Sequence, residues 1–380
     1  MSRQQGKSGT AGVVREFIGA DSPTARRAGS GGHPCQGIYY RGVGRKPKVA
    51  MIAAHYQIDF SEHYLADYMA TRGIGFLGWN TRFLGYETSF MLDHALVDIG
   101  VGVRWLREVA GVETVILLGN SGGGSLMAAY QAQALDPHVT PLAGMRPATG
   151  LGDLPRADGY VSSAAHPGRP DVLTAWMDGS VVDETDALAT DPELDPYNPA
   201  NGAPFSTEFV QQYRAAQVAR NHAITDWVED EFKRVRAAGY SDRPFSVMRT
   251  WADLRMIDPT LEPTKRQANQ CYVGDPGRAN RSAHGIAASC TLRNWLSMWS
   301  LRHAQTRAEP HLALIDSPAL IINAEQDTGV YPSDAQRIFD ALASDDKILC
   351  PMDSDHYFTT PGARSEQADT IAKWIAKRWR

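Results

Sequence analysis

Between residues 113 and 130 the chain passes from an apolar run, Val115-Ile116-Leu117-Leu118, through Gly119-Asn120-Ser121-Gly122-Gly123-Gly124, into small and long apolar residues that begin at Ser125. A short apolar run that stops at glycine reads as a buried strand, and the segment from Ser125 onward reads as a helix. The Gly-x-Ser-x-Gly turn between them must press the strand end against the helix start. Gly119 and Gly123 meet that demand by omitting the Cβ atoms that the crowding forbids. Ser121 is left with a strained backbone and a hydroxyl held above the sheet edge. The helix start beside it offers unpaired backbone N–H groups and a positive dipole end, which suit a developing negative oxygen. No Lys-Ser/Thr follows the glycines, and Ser121 stands where a dinucleotide fingerprint needs its second glycine, so the turn does not read as a phosphate loop.

The flanking pattern supplies the frame for this turn. Residues 36–40 alternate well enough for a strand, and Val49-Ala50-Met51-Ile52-Ala53-Ala54 reads as a strand buried on both faces. A helix is expected over 62–71, a strand over 75–79, and a helix over 92–109, with Leu92, Leu96, Ile99, Val103 and Leu106 at helical spacing. Strand, helix, strand, helix, strand is the order that a doubly wound, mostly parallel sheet requires. Another strand is expected over 159–163, running into Ala164-Ala165-His166-Pro167-Gly168 at the rim.

Set in this order of elements, Gly119-Asn120-Ser121-Gly122-Gly123 resembles the nucleophile elbow of the α/β-hydrolase family. The resemblance implies an α/β-hydrolase fold and a triad in chain order Ser, Asp, His. Ser317-Pro318-Ala319-Leu320-Ile321-Ile322-Asn323-Ala324-Glu325-Gln326-Asp327 is similar to the family's penultimate strand and acid loop, which makes Asp327 the expected acid, with Glu325 as its rival nearer the strand end. Asp355-His356-Tyr357, after a last strand at 347–350, is similar to the loop that carries the family's base, here His356. By position the oxyanion donors would be the N–H of Tyr56 or Gln57 together with that of Gly122. Tyr56 stands where the family often has glycine after a histidine, here His55, which reads as a core histidine bonded to its loop. Arg82, in Asn80-Thr81-Arg82-Phe83-Leu84-Gly85, matches a family position that is usually structural.

The chain of 380 residues is longer than such a core needs. Three regions are expected: a flexible N-terminal extension at 1–35, a core at 36–168 and 312–380, and a helical cap at 169–311. The cap should contain helices over 207–220, 224–238 and 291–307, and aromatic residues such as Trp176, Trp251, Trp295 and Trp299. A cap over the serine favours bulky hydrophobic or aromatic substrates over sugars or highly charged ones. Large aromatic macrocyclic lactones, the substrates of bacterial zearalenone lactonases, fit that description, and the chain is similar to such capped hydrolases in outline.

The net charge of −5 gives no basic field for nucleic acid. Cys35, Cys271, Cys290 and Cys350 are widely spaced and make no metal pattern, so reduced, mostly buried thiols are expected. No apolar run is long enough to span a bilayer, and the first ten residues lack the apolar core of a signal peptide, so a cytoplasmic protein is expected. No cofactor or metal is implied, and homo-oligomerisation is left open. The expected activity is hydrolysis of a small-molecule hydrophobic ester or lactone through an acyl-enzyme. An acyltransferase, a carbon–carbon bond hydrolase and a non-catalytic binding protein are the alternatives.

Overall fold

The structure, a computed structural model, describes residues 12–24 and 33–379. The chain first lays down β1 (Val13–Ala20), β2 (Cys35–Gly42) and β3 (Val49–Ala53), then α1 (Ala66–Thr71), β4 (Gly75–Asn80) and α2 (Leu92–Glu108). It continues through β5 (Thr114–Asn120), α3 (Gly123–Leu135) and β6 (Gly159–Ser163). After a long insertion it returns as β9 (Ala319–Ala324), α10 (Pro332–Ala341), β10 (Lys347–Met352) and α11 (Ala363–Ala376). The insertion holds α4 (Arg169–Trp176), α5 (Thr207–Ala237), the two-stranded pair β7 (Pro244–Phe245) and β8 (Cys290–Thr291), and the short helices α6 (Leu254–Ile257), α7 (Pro276–Asn280), α8 (Leu292–Asn294) and α9 (Glu309–Leu312).

The main sheet has eight strands in the order β1-β2-β4-β3-β5-β6-β9-β10. β1 and β2 run antiparallel to their neighbours, and the six from β4 to β10 are parallel. Because side chains alternate across a strand, each strand feeds both layers. Val115 and Leu117 of β5 join a core with Leu96, Ile99 and Val103 of α2, residues of α3, and Ile338 of α10. Ile116 and Leu118 join another with Met69 of α1 and Ile371 and Trp374 of α11. Both faces of the central strands are thus covered by helices, as the continuous apolar runs in their sequences require.

Three expectations are corrected. The flexible extension placed at 1–35 falls partly outside the described residues, at 1–11 and 25–32, but within them Val13–Ala20 is an edge strand paired along its length with β2. Its sequence gives little alternation because most of it is exposed or half-buried, and pairing alone makes it a strand. The helices expected over 207–220 and 224–238 are one continuous helix, α5. Asn221, at the expected break, is buried and its amide donates to Thr174 Oγ1 (3.1 Å) and Trp299 O (3.0 Å), so tertiary contacts hold the helix through its polar stretch. The segment 291–307 is α8 followed by a π-helical turn, Trp295–Trp299, and then turns, rather than one helix.

Candidate active site

Ser121 follows β5 directly and has φ of 54°, in the left-handed region that a side chain other than glycine rarely adopts. Its N–H is shared between Ser163 O (3.2 Å) and Ala164 O (3.1 Å), and its carbonyl accepts from the N–H groups of Gly124 and His166, each at 3.1 Å. Four backbone bonds therefore hold the residue in a strained shape. Neighbouring glycines make room: a Cβ on Gly119 would lie 2.7 Å from Gly124 Cα, and one on Gly123 would lie 2.4 Å from Ala54 O. Asn120 braces the turn from below, its amide donating to Ser163 O (2.8 Å) while its Oδ1 lies 3.2 Å from His63 Nε2.

The structure brings Ser121, His356 and Asp327 together although they come from three distant stretches. Ser121 Oγ lies 3.1 Å from His356 Nε2, and His356 Nδ1 lies 2.6 Å from Asp327 Oδ2. Asp327 is buried after β9, and its Oδ1 also accepts from the N–H groups of Gly329 (2.9 Å) and Val330 (3.0 Å). Its rival Glu325 points elsewhere, toward Lys265 Nζ at 2.9 Å. A carboxylate so held fixes the Nδ1–H tautomer and leaves Nε2 to accept the serine proton.

Tyr272, from the insertion, was not singled out by the sequence. Its hydroxyl donates to Asp327 Oδ1 (3.0 Å) and lies 3.0 Å from His356 Nδ1, and its ring lies over the imidazole with centroids 4.3 Å apart. The same ring packs edge-on against Trp176, which stacks on Trp251 at 4.8 Å. The insertion therefore reaches the Asp327–His356 pair directly, and no spacing in 169–311 could have announced which residue would do so.

On the other side of Ser121 lie Tyr56, Gln57 and Gly122, the residues expected to offer oxyanion donors. Gln57 N–H is engaged with His55 Nδ1 at 3.0 Å, as is Ile58 N–H at 3.1 Å. The N–H groups of Tyr56 and Gly122 have no hydrogen-bond partner among the described residues. Because His55 Nδ1 accepts two backbone bonds, its proton must sit on Nε2. Burial first, then the charge of Arg169, holds this imidazole neutral, well below the usual histidine range. A Cβ built on Gly122 would meet both His55 Nε2 and Arg169 Nη1 at 2.7 Å, so both groups converge on the residue after the serine. Tyr56 itself turns inward, its hydroxyl 3.1 Å from Ser125 Oγ.

Among the described residues no cluster of three His, Cys, Asp or Glu side chains is arranged to hold a metal ion, and no helix is long and apolar enough to cross a membrane. All four cysteines are free thiols. A cavity of about 440 Å³ bounded by Val247, Arg249, Asn280 and His284 lies within the insertion, and none of the Ser121, Asp327 and His356 group lines it.

No protein-family model matches the chain, and no curated protein matches it. Among solved structures, the α/β hydrolase GrgF from Penicillium sp. sh18 superposes with a TM-score of 0.54 at 10% identity, over 96% of this chain and 98% of the other. DcsB, solved in complex with a substrate analogue, superposes with a TM-score of 0.53 at 13% identity, over 90% of this chain and 94% of the other. With the strand order and the two helical layers, these likenesses establish an α/β-hydrolase fold.

Proposed function

We propose that the protein is a serine hydrolase that cleaves a carboxylic ester or lactone through an acyl-enzyme, with Ser121 as nucleophile, His356 as general base and Asp327 as the acid that orients the imidazole. The observation that carries this reading is the hydrogen-bonded run from Ser121 Oγ through His356 to Asp327, built on a serine with positive φ. Ser121 Oγ attacks the acyl carbonyl as His356 Nε2 takes its proton. The tetrahedral oxyanion is held by the N–H of Gly122 and of Tyr56, with His55 Nε2–H facing the same place. His356 then protonates the leaving alkoxide, and a water activated by the same imidazole releases the acid. Trp176, Trp251 and Tyr272 form an aromatic wall beside His356, which supports bulky hydrophobic or aromatic substrates, including aromatic lactones, under a capping insertion at 169–311.

The test compares wild type with Ser121→Ala on a chain-length series of p-nitrophenyl esters and a panel of aromatic lactones. Loss of about 10⁵-fold in kcat is expected, with a fold unchanged by circular dichroism. Wild-type protein that hydrolyses none of these and whose Ser121 is not labelled by a fluorophosphonate would overturn the reading. Acyl transfer from a thioester to an added alcohol, in place of hydrolysis, would redirect it to an acyltransferase.

A further inference from the structure

Arg169 is the first residue of α4, and its side chain is buried at 3% exposure next to the serine. A guanidinium in such a place ordinarily has a carboxylate beside it, because an uncompensated buried charge is expensive. Of the other buried arginines, Arg82 pairs with Asp98, Arg220 with Glu184 and Arg249 with Asp178, while Arg266 spends its donors on the backbone carbonyls of Arg255 and Glu262. Arg169 has no acid within ion-pair distance among the described residues. Its single side-chain hydrogen bond goes from Nη2 to the neutral Gln57 Oε1 (2.6 Å), and its Nε has no partner at all. The nearby Tyr56 phenol cannot supply the missing charge, since burial keeps it protonated. Burial alone pushes the guanidinium down to about 10, still protonated at neutral pH.

The group is nonetheless firmly aimed. It lies over the Trp299 ring (4.6 Å to the centroid) and the Tyr56 ring (5.4 Å), while Arg169 N–H donates to Thr306 O. These contacts fix the plane of the fork, and Nη1 ends at Gly122, the residue after Ser121. The oxyanion can be served by the Gly122 and Tyr56 amides and by His55 Nε2–H, so the donors of Arg169 exceed what that one oxygen needs. Nη1, aimed at Gly122, donates to no protein oxygen among the described residues, and a carboxylate oxygen is the anionic acceptor that suits a guanidinium donor so placed.

We propose that Arg169 anchors a carboxylate carried by the substrate itself, so that the site takes esters or lactones with a free acid group near the scissile carbonyl. This rests on the serine hydrolase reading above and narrows its substrate class: an aromatic or hydrophobic body with one anionic end.

Two measurements test it. The first compares kcat/KM for the mono-p-nitrophenyl ester of adipic acid with that for the same molecule methylated at its far carboxyl, corrected for spontaneous hydrolysis. Wild type is expected to prefer the acid by on the order of a hundredfold, and Arg169→Gln to bring that ratio close to one. Equal rates on both esters in wild type would overturn the proposal. So would an Arg169→Gln variant that slows both esters by the same factor, which would assign the guanidinium to the oxyanion instead. The second measurement needs no turnover: calorimetric binding of phenylacetate and of its neutral amide to the Ser121→Ala protein. The acid is expected to bind at least tenfold more tightly, and equal affinity would overturn the proposal even if Arg169→Gln fails to fold. If neither ester is hydrolysed while phenylacetate is still preferred, the hydrolase reading fails and the carboxylate site stands.

Discussion

At the scale of single residues, the site is a set of exceptions to ordinary packing rules, each imposed by a neighbour. Ser121 has positive φ because its N–H and carbonyl are both tied to the loop after β6, and Gly123 lacks a Cβ because Ala54 O occupies that space. Gly123→Ala must push either β3 or α3 aside. It is expected to cost about 2 kcal/mol or more in denaturant stability, and esterase activity should fall further than stability because the serine moves. Tyr272→Phe removes one hydrogen bond to Asp327 while keeping the ring over His356. A fall of about five- to tenfold in kcat with little change in KM is expected. An unchanged kcat would show that the hydroxyl does not help to hold the acid. The glycines and Ser121 could be read from the sequence because their constraint is local, whereas Tyr272 and Arg169 could not, since each gains its meaning from a group far away in the chain.

At the scale of elements, the loop after β4 shows how a family-like position acquires a structural role. Arg82 leaves β4, and its Nε donates to Asp98 Oδ2 (2.8 Å) on α2, while its own N–H reaches the same oxygen at 2.9 Å. The Asp98 side chain is fully buried. Asp98→Asn would take away the buried carboxylate that accepts from Arg82 Nε and from its backbone N–H, and a loss of about 3–5 kcal/mol is expected from urea unfolding. A loss below 1 kcal/mol would mean that the pair is readily rehydrated. The elements of the core were legible because two-sided burial writes continuous apolar runs into β3, β5 and β9. The insertion was less so: α5 carries a polar stretch at mid-length that only its contacts with α4 and Trp299 keep helical, and the π turn at Trp295–Trp299 has no periodic signature.

At the scale of the whole molecule, several histidines are enclosed in neutral form. Burial lowers His63 and His311 to about 4 and holds His55 and His166 well below the usual range. The unfolded chain titrates these groups near pH 6.5, so it binds more protons than the folded one as pH falls below that value. Stability is therefore fully present above about pH 6.5 and is lost as pH falls toward 4. His63 and His311 should each cost about 1 kcal/mol by pH 5.5. Asp334, raised to about 6 by burial, works in the opposite direction over part of that window, but it is one group against four. Urea midpoints at pH 7.5 and 5.5 should show a marked drop at the lower pH; equal midpoints would mean that the histidines gain protons without opening the fold.

Across these scales the division follows the range of the forces involved. Whatever depends on neighbours in the chain was determined by the sequence itself: the buried strands, the helix after Ser121, the glycine turn, and the order Ser121, Asp327, His356. Whatever depends on which distant surfaces meet was decided only by the tertiary structure. β1 is a strand because β2 offers it an edge, Tyr272 reaches Asp327 because the insertion folds back toward the loop after β9, and Arg169 lacks a counter-charge among the described residues because none of their acids was packed beside it. Local sequence can specify backbone shape at a turn, but partners far apart in the chain are chosen by packing, and charge compensation is chosen with them.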